Sequence, residues 1–208
     1  MSVKFIPRKD RPKNRNQAGK YAKNMIKSER ERYVSGLGSE YRKILDNGAV
    51  YLPSFFCRKK DYTLFNKLFD ELKNNDVVGW SKHYKFENPD FSPTFNEIVD
   101  KMAKHFNVDV IQTRLNVYKD GRDWKPFHHD KHAYADKRED FTMGASFGCS
   151  RELEFLHEDT KSKFSFPQYN GDVFAFTSDI NKSFMHGVPK SKQQCGKRIS
   201  IIAWGQKN

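Results

Sequence analysis

The chain has 208 residues, a formal net charge of +12 and three scattered cysteines. That length suits one domain with a sizeable core plus an extension, and the scattered cysteines exclude a disulfide scaffold and suit a reducing compartment. No stretch approaches the roughly 20 apolar residues of a membrane span, and the first residues lack the apolar core of a secretory signal, so no membrane association and an intracellular place, nuclear or cytoplasmic, are expected.

Residues 1–40 hold eleven Lys and Arg against four acids, which is +7 of the whole formal charge. With few large apolar groups, this basic extension is expected to stay flexible or to form a marginal helix around 21–33. Such an arm can find phosphates and bind nucleic acid in a salt-dependent way, or can act as a solvated or nuclear-targeting tail. The domain boundary is set at 1–48 for the extension and 49–208 for the folded unit, a monomer.

Residues 61–75 carry Leu64, Phe65, Leu68, Phe69 and Leu72 at helical spacing, with Asp61 as the expected N-cap. A second helix is expected from Pro93 to Phe106, with Ser92 as cap and proline in the first turn, and a core stripe of Phe95, Ile98, Val99 and Met102. From Val108 onward strands dominate, broken by turns such as Asp120-Gly121 and Asn170-Gly171.

Alternation within these strands has direction. Arg114, Asn116 and Tyr118 share one face, and Ile111, Thr113, Leu115 and Val117 the other; Arg198, Ser200, Ile202 and Trp204 share a face of the last run. One face packs while the other offers polar groups to a cavity, as in a small β-barrel.

The chemistry is concentrated in His128-His129-Asp130 and in His186, with Arg198 twelve residues later. Residues two apart on a strand point the same way, so His128 and Asp130 can face one metal while His129 faces elsewhere. Two imidazoles and a carboxylate on one side of a metal form the facial triad of non-heme Fe(II) oxygenases. An arginine can then grip a dicarboxylate through two parallel charge-assisted hydrogen bonds. A single H-x-D step is common by chance; the joint order of ligands and arginine is not.

At these residues the chain resembles the AlkB family of Fe(II)/2-oxoglutarate dioxygenases. The resemblance spans residues 49–205. Asn116-Val117-Tyr118-Lys119-Asp120-Gly121 with His128-His129-Asp130 resembles the family's N-x-Y-x-x-G and H-x-D block, and Met185-His186-Gly187-Val188-Pro189 its distal-histidine segment. Asn170-Gly171-Asp172-Val173, Phe141 to Gly148, and Val50 to Phe56 resemble the turn before a core strand, the strand after H-x-D, and the entry to the domain.

The resemblance implies an α+β fold with a double-stranded β-helix (jelly-roll) core and two packing helices. It implies Fe(II) held by His128, Asp130 and His186, and 2-oxoglutarate held by Arg198 with Tyr118, Ser200 and Asn116 beside it. With O2, the expected reaction is oxidative removal or hydroxylation of alkyl groups on nucleic-acid bases, the hydroxymethyl product losing formaldehyde. The alternative is oxidation of a protein or small molecule. The family's substrate lid falls on residues 76–91, where Trp80 and Tyr84 are candidates to stack a base or else to close the core, and His132 is a candidate to face substrate. Two departures stand out. Trp204 replaces the second arginine of the family's closing R-x-N-x-T-x-R motif and Ser200 its asparagine, and Lys131-His132-Ala133 follows the H-x-D step where an acidic residue is usual.

Overall fold

The computed structural model describes residues 48–74, 84–130, 139–157, 161, 163–191 and 194–208, with 84–87, 164 and 166 given by backbone alone. The basic arm, Trp80 and His132 lie outside the described residues.

Among the described residues ten strands form two antiparallel sheets. In chain order they are β1 (Ala49–Leu52), β2 (Tyr84–Glu87), β3 (Val108–Tyr118), β4 (Lys125–His128), β5 (Phe141–Gly148), β6 (Arg151–His157), β7 (Lys163–Gln168), β8 (Asp172–Thr177), β9 (Phe184–Val188) and β10 (Arg198–Lys207). The major sheet runs β1-β8-β5-β10-β3-β2 and the minor one β4-β9-β6-β7. Helices α1 (Thr63–Asn74) and α2 (Pro93–Phe106) accompany the major sheet, and a short α3 (Ser178–Ser183) joins β8 to β9.

Both long helices start where local chemistry places them. The Asp61 carboxylate accepts the Thr63 amide at 3.0 Å, and the Ser92 hydroxyl accepts the Phe95 amide at 3.1 Å. Glu71 of α1 crosses to the start of α2, where Ser92 Oγ, Thr94 Oγ1 and the Thr94 amide all donate to it. A carboxylate there meets the unpaired amides of the first turn.

Alternation divides the major sheet between two cores. Odd residues of β5 and β10 (Phe141, Met143, Ala145, Phe147; Ile199, Ile201, Ala203) join Leu68, Leu72, Ile98, Met102 and Phe106 of the helices. Tyr51, Tyr118, Phe174 and Phe176 of the major sheet instead meet Leu153, Phe155, Phe184 and Val188 between the sheets. The helices therefore seal the outer face of the major sheet, and its inner face is left to build a cavity.

Strict parity fails at one point in β3. The β3–β10 register shifts between Trp204 and Gly205, with Trp204 opposite Gln112 and Gly205 opposite Val110. Ile111 falls at this bulge and is 44% exposed, although its parity placed it with Leu115 and Val117. Beyond the bulge Val108 and Val110 take over the inward positions.

The cysteines correct the sequence reading. Cys149 and Cys195 are bonded, with Cα atoms 5.9 Å apart. Cys149 follows β5 and Cys195 precedes its antiparallel neighbour β10, so pairing of the strands joins residues 46 apart in sequence. Cys57 remains a thiol, its pKa pushed up by burial. Among the described residues no helix is long and apolar enough to cross a membrane.

Candidate metal centre and co-substrate cavity

His128 and His186 are direct partners across the antiparallel β4–β9 ladder, with ring centroids 4.5 Å apart. Strand pairing thus brings together histidines far apart in sequence. Asp130 joins them by a different route. β4 ends at His128, so strand parity does not carry the chain to Asp130 as the sequence reading expected. The buried Asn181 of α3 does this instead: its side chain accepts the Asp130 amide at 2.9 Å and donates to the Asp130 carbonyl at 3.0 Å. The His129 ring turns to the Asn181 carbonyl, away from the other two.

Asp130 Oδ1 lies 3.6 Å from His128 Nε2 and 3.5 Å from His186 Nε2. One ligand atom from each residue falls within 4.8 Å of the others, a cluster able to hold a metal ion. The His128 tautomer suits that use. Its Nδ1 lies 2.9 Å from the Pro126 carbonyl, which can only accept, so the proton sits on Nδ1 and the Nε2 lone pair faces the cluster. The His186 ring is held by Phe155 and Phe176, with centroids 6.0 and 5.0 Å away, and its buried Nδ1 has no hydrogen-bond partner. Burial alone would raise the Asp130 pKa, but the adjacent His186 and His128 rings and the hydrogen bond from the Trp204 indole hold it well below the carboxylate range. The donor set is therefore one carboxylate and two imidazoles, which fits a hard-to-borderline divalent transition metal.

Because Asn181 pairs with both backbone groups of Asp130, Asn181→Leu is expected to cost about 1–3 kcal/mol of stability by leaving buried polar groups unpaired. Metal affinity should fall with it. Chemical denaturation and a metal titration of the same variant check both; full stability with unchanged affinity would show that Asp130 is held by other groups.

The cluster opens into a solvent-connected cavity, the non-atom space there being about 540 Å³ with open solvent included. Its wall carries the two polar rows that alternation selected: Arg198, Ser200, Ile202 and Trp204 of β10, and Arg114, Asn116 and Tyr118 of β3. Register places Arg198 opposite Tyr118 and Ser200 opposite Asn116. On the other side of β10 the even residues of β5, Thr142, Gly144, Ser146 and Gly148, face the same row. Lys125, Leu153, Phe174, Phe176 and Val188 complete much of the wall.

Arg198 is 1% exposed. Its Nε donates to Ser146 Oγ at 2.8 Å, and its guanidinium carbon lies 5.0 Å over the Tyr118 ring. Nη1 is buried with no hydrogen-bond partner, and no described carboxylate acts on the group. Burial, the largest influence, lowers its pKa to about 10. A desolvated cation with an unused donor beside a cavity fits a carboxylate ligand.

All three expected metal ligands and all four expected co-substrate residues thus meet around one cavity. Tyr84 lies in β2 opposite Val117, at the edge of the major sheet. Sequence reasoning missed Asn181, Ser146, Thr142, Lys125 and the role of Trp204. Alternation of small or polar with apolar residues across Phe141 to Gly148 could have pointed to Thr142 and Ser146; nothing local marks Asn181. Buried Arg151 lies behind Tyr118, its guanidinium carbon 5.5 Å from that ring, and binds the carbonyls of Asp120, Asp123 and Pro189.

No protein-family model matches the chain. Over 112 residues it is 30% identical to the uncharacterized protein R406 of Acanthamoeba polyphaga mimivirus, a match over 53% of this chain and 58% of that protein's length. Two solved structures are similar to it. A prolyl-4-hydroxylase of Pseudomonas putida superposes with a TM-score of 0.55 at 14% identity, over 77% of this chain and 93% of the hydroxylase. HygX of Streptomyces hygroscopicus, solved with nickel and 2-oxoglutarate bound, gives 0.58 at 13% identity, over 81% of this chain and 87% of HygX. The core is a jelly-roll. At such identities the likeness is one of fold, and the resemblance to AlkB stands on the sequence motifs alone.

Proposed function

We propose that the chain is an Fe(II)- and 2-oxoglutarate-dependent dioxygenase, acting on alkyl groups of nucleic-acid bases. The observation that carries the reading is one cavity with a two-histidine, one-carboxylate cluster and a buried, under-paired arginine. Fe(II) with 2-oxoglutarate would supply the oxidative chemistry, in which the co-substrate loses CO2 to become succinate and one oxygen atom of O2 enters a substrate C–H bond as hydroxyl.

The chain's own groups bind, orient and shield. His128 and His186 would offer neutral nitrogens and Asp130 an ionised oxygen to the iron. Arg198 would take the far carboxylate of 2-oxoglutarate with its unpartnered Nη1, while Tyr118, Ser200 and Asn116 line its path. The apolar wall of Phe174, Phe176, Leu153 and Ile202 limits water, which strengthens each charge interaction inside. On an N-methyl group the product is a hydroxymethyl that departs as formaldehyde.

The nucleic-acid substrate is supported by charge: +12 overall, +7 of it in residues 1–40, and Arg114 and Lys125 on the cavity wall. Succinate release against methylated oligonucleotides, methylated peptides and buffer tests the whole reading. Stimulation by oligonucleotides with formaldehyde release is expected; stimulation by peptides alone would move the substrate to protein, and no 2-oxoglutarate turnover in any arm would remove the enzyme class. Deleting residues 1–40 should weaken oligonucleotide binding and flatten the dependence of log affinity on log salt by roughly 0.7–0.9 per lost phosphate contact. Turnover without substrate should be unchanged, and an unaltered salt slope would leave the arm without a nucleic-acid role.

A further inference from the structure

Trp204 stands where the resembled motif has its second arginine, and its indole touches the metal cluster. Nε1–H donates to Asp130 Oδ2 at 3.0 Å, with Thr142 Oγ1 at 3.4 Å from the same oxygen. Oδ1 is the oxygen turned to the two imidazoles, at 3.6 and 3.5 Å. The two carboxylate oxygens therefore have separate partners. Asp130 and Trp204 are 7% and 3% exposed, so water does not compete for the bond. The Arg114 guanidinium carbon lies 5.1 Å over the indole ring. A cation over that face is drawn to its electron density and makes the N–H a stronger donor.

We infer that Trp204 is a positioning residue that holds Oδ2 so that Asp130 presents a single oxygen, Oδ1, to the metal. The inference rests on the dioxygenase reading and adds a residue to its site. A carboxylate bound through both oxygens would occupy one more of the positions that a facial triad leaves open. The arginine of the resembled motif is thus replaced by a donor that serves the metal ligand.

Trp204→Phe keeps an aromatic ring in the pocket and deletes the donor. Zn²⁺ is a suitable probe because it is diamagnetic and without redox chemistry. Calorimetry should show one Zn²⁺ per wild-type chain and a Kd raised 10–100-fold in Trp204→Phe, with Tm little changed. A lowered Tm with unchanged Zn²⁺ affinity would make Trp204 a packing residue and overturn the inference. If the variant fails to fold, the wild-type indole resonance decides. Assigned by elimination against Trp80→Phe and Trp124→Phe, it should resist exchange and shift on Zn²⁺ addition. An indole signal that Zn²⁺ leaves unmoved, while the His128 and His186 ring signals shift, overturns the inference and leaves the metal centre standing. A wild-type chain that binds no Zn²⁺ overturns both.

Discussion

His128→Ala is expected to abolish tight divalent-metal binding and 2-oxoglutarate turnover while leaving the fold intact. Its side chain is 29% exposed, against 8% for Asp130 and 9% for His186, so of the three proposed ligands it is the one whose loss disturbs packing least. Removal of a direct ligand should exceed the roughly 10–100-fold loss typical of groups that only orient ligands. Asp130→Ala and His186→Ala should lose activity equally but fold less well. Asp130→Ala strands the Trp204 indole and the Thr142 hydroxyl, each a buried group costing about 1–3 kcal/mol when unsatisfied. Metal titration, succinate assay and far-UV dichroism on the three variants check this. Near wild-type succinate formation in any one would sink the iron assignment.

Arg198→Lys is expected to raise the KM for 2-oxoglutarate by on the order of 10–100-fold, the factor that loss of a charge-assisted hydrogen bond worth about 1.5–3 kcal/mol implies. Thermal stability should not fall in proportion, because the buried guanidinium is itself a burden on the fold. Its folded pKa, about 10, lies below the ordinary value, so the charged form is disfavoured by folding and that cost is present throughout the pH range below about 10. A bound carboxylate relieves it. In the wild type, metal plus 2-oxoglutarate at a hundred times Kd should add about 2.7 kcal/mol, which is roughly 5–10 °C of Tm at this size. Most of that shift should vanish in Arg198→Lys. A variant that unfolds readily with unchanged co-substrate affinity would make Arg198 a structural residue.

Much of this site was legible in the chain because its information is local or periodic. The caps at Asp61 and Ser92 are contacts within three residues, so the starts of α1 and α2 follow from adjacent side chains. Period-two alternation chose the cavity rows Arg114, Asn116, Tyr118 and Arg198, Ser200, Trp204, because pleating sends alternate residues to opposite faces whatever the strands pair with.

Tertiary structure decided what depends on partners. The bulge that exposes Ile111 arises from mismatch between β3 and β10, which neither strand encodes alone. The Cys149–Cys195 bond requires β5 and β10 to be neighbours. Asp130 reaches the histidines because a side chain 51 residues away clamps its backbone, beyond the end of the strand that parity assumed. Trp204, a mere departure from a motif in sequence, becomes a donor to the carboxylate of the His-Asp-His cluster only once β10 passes within hydrogen-bond reach of Asp130.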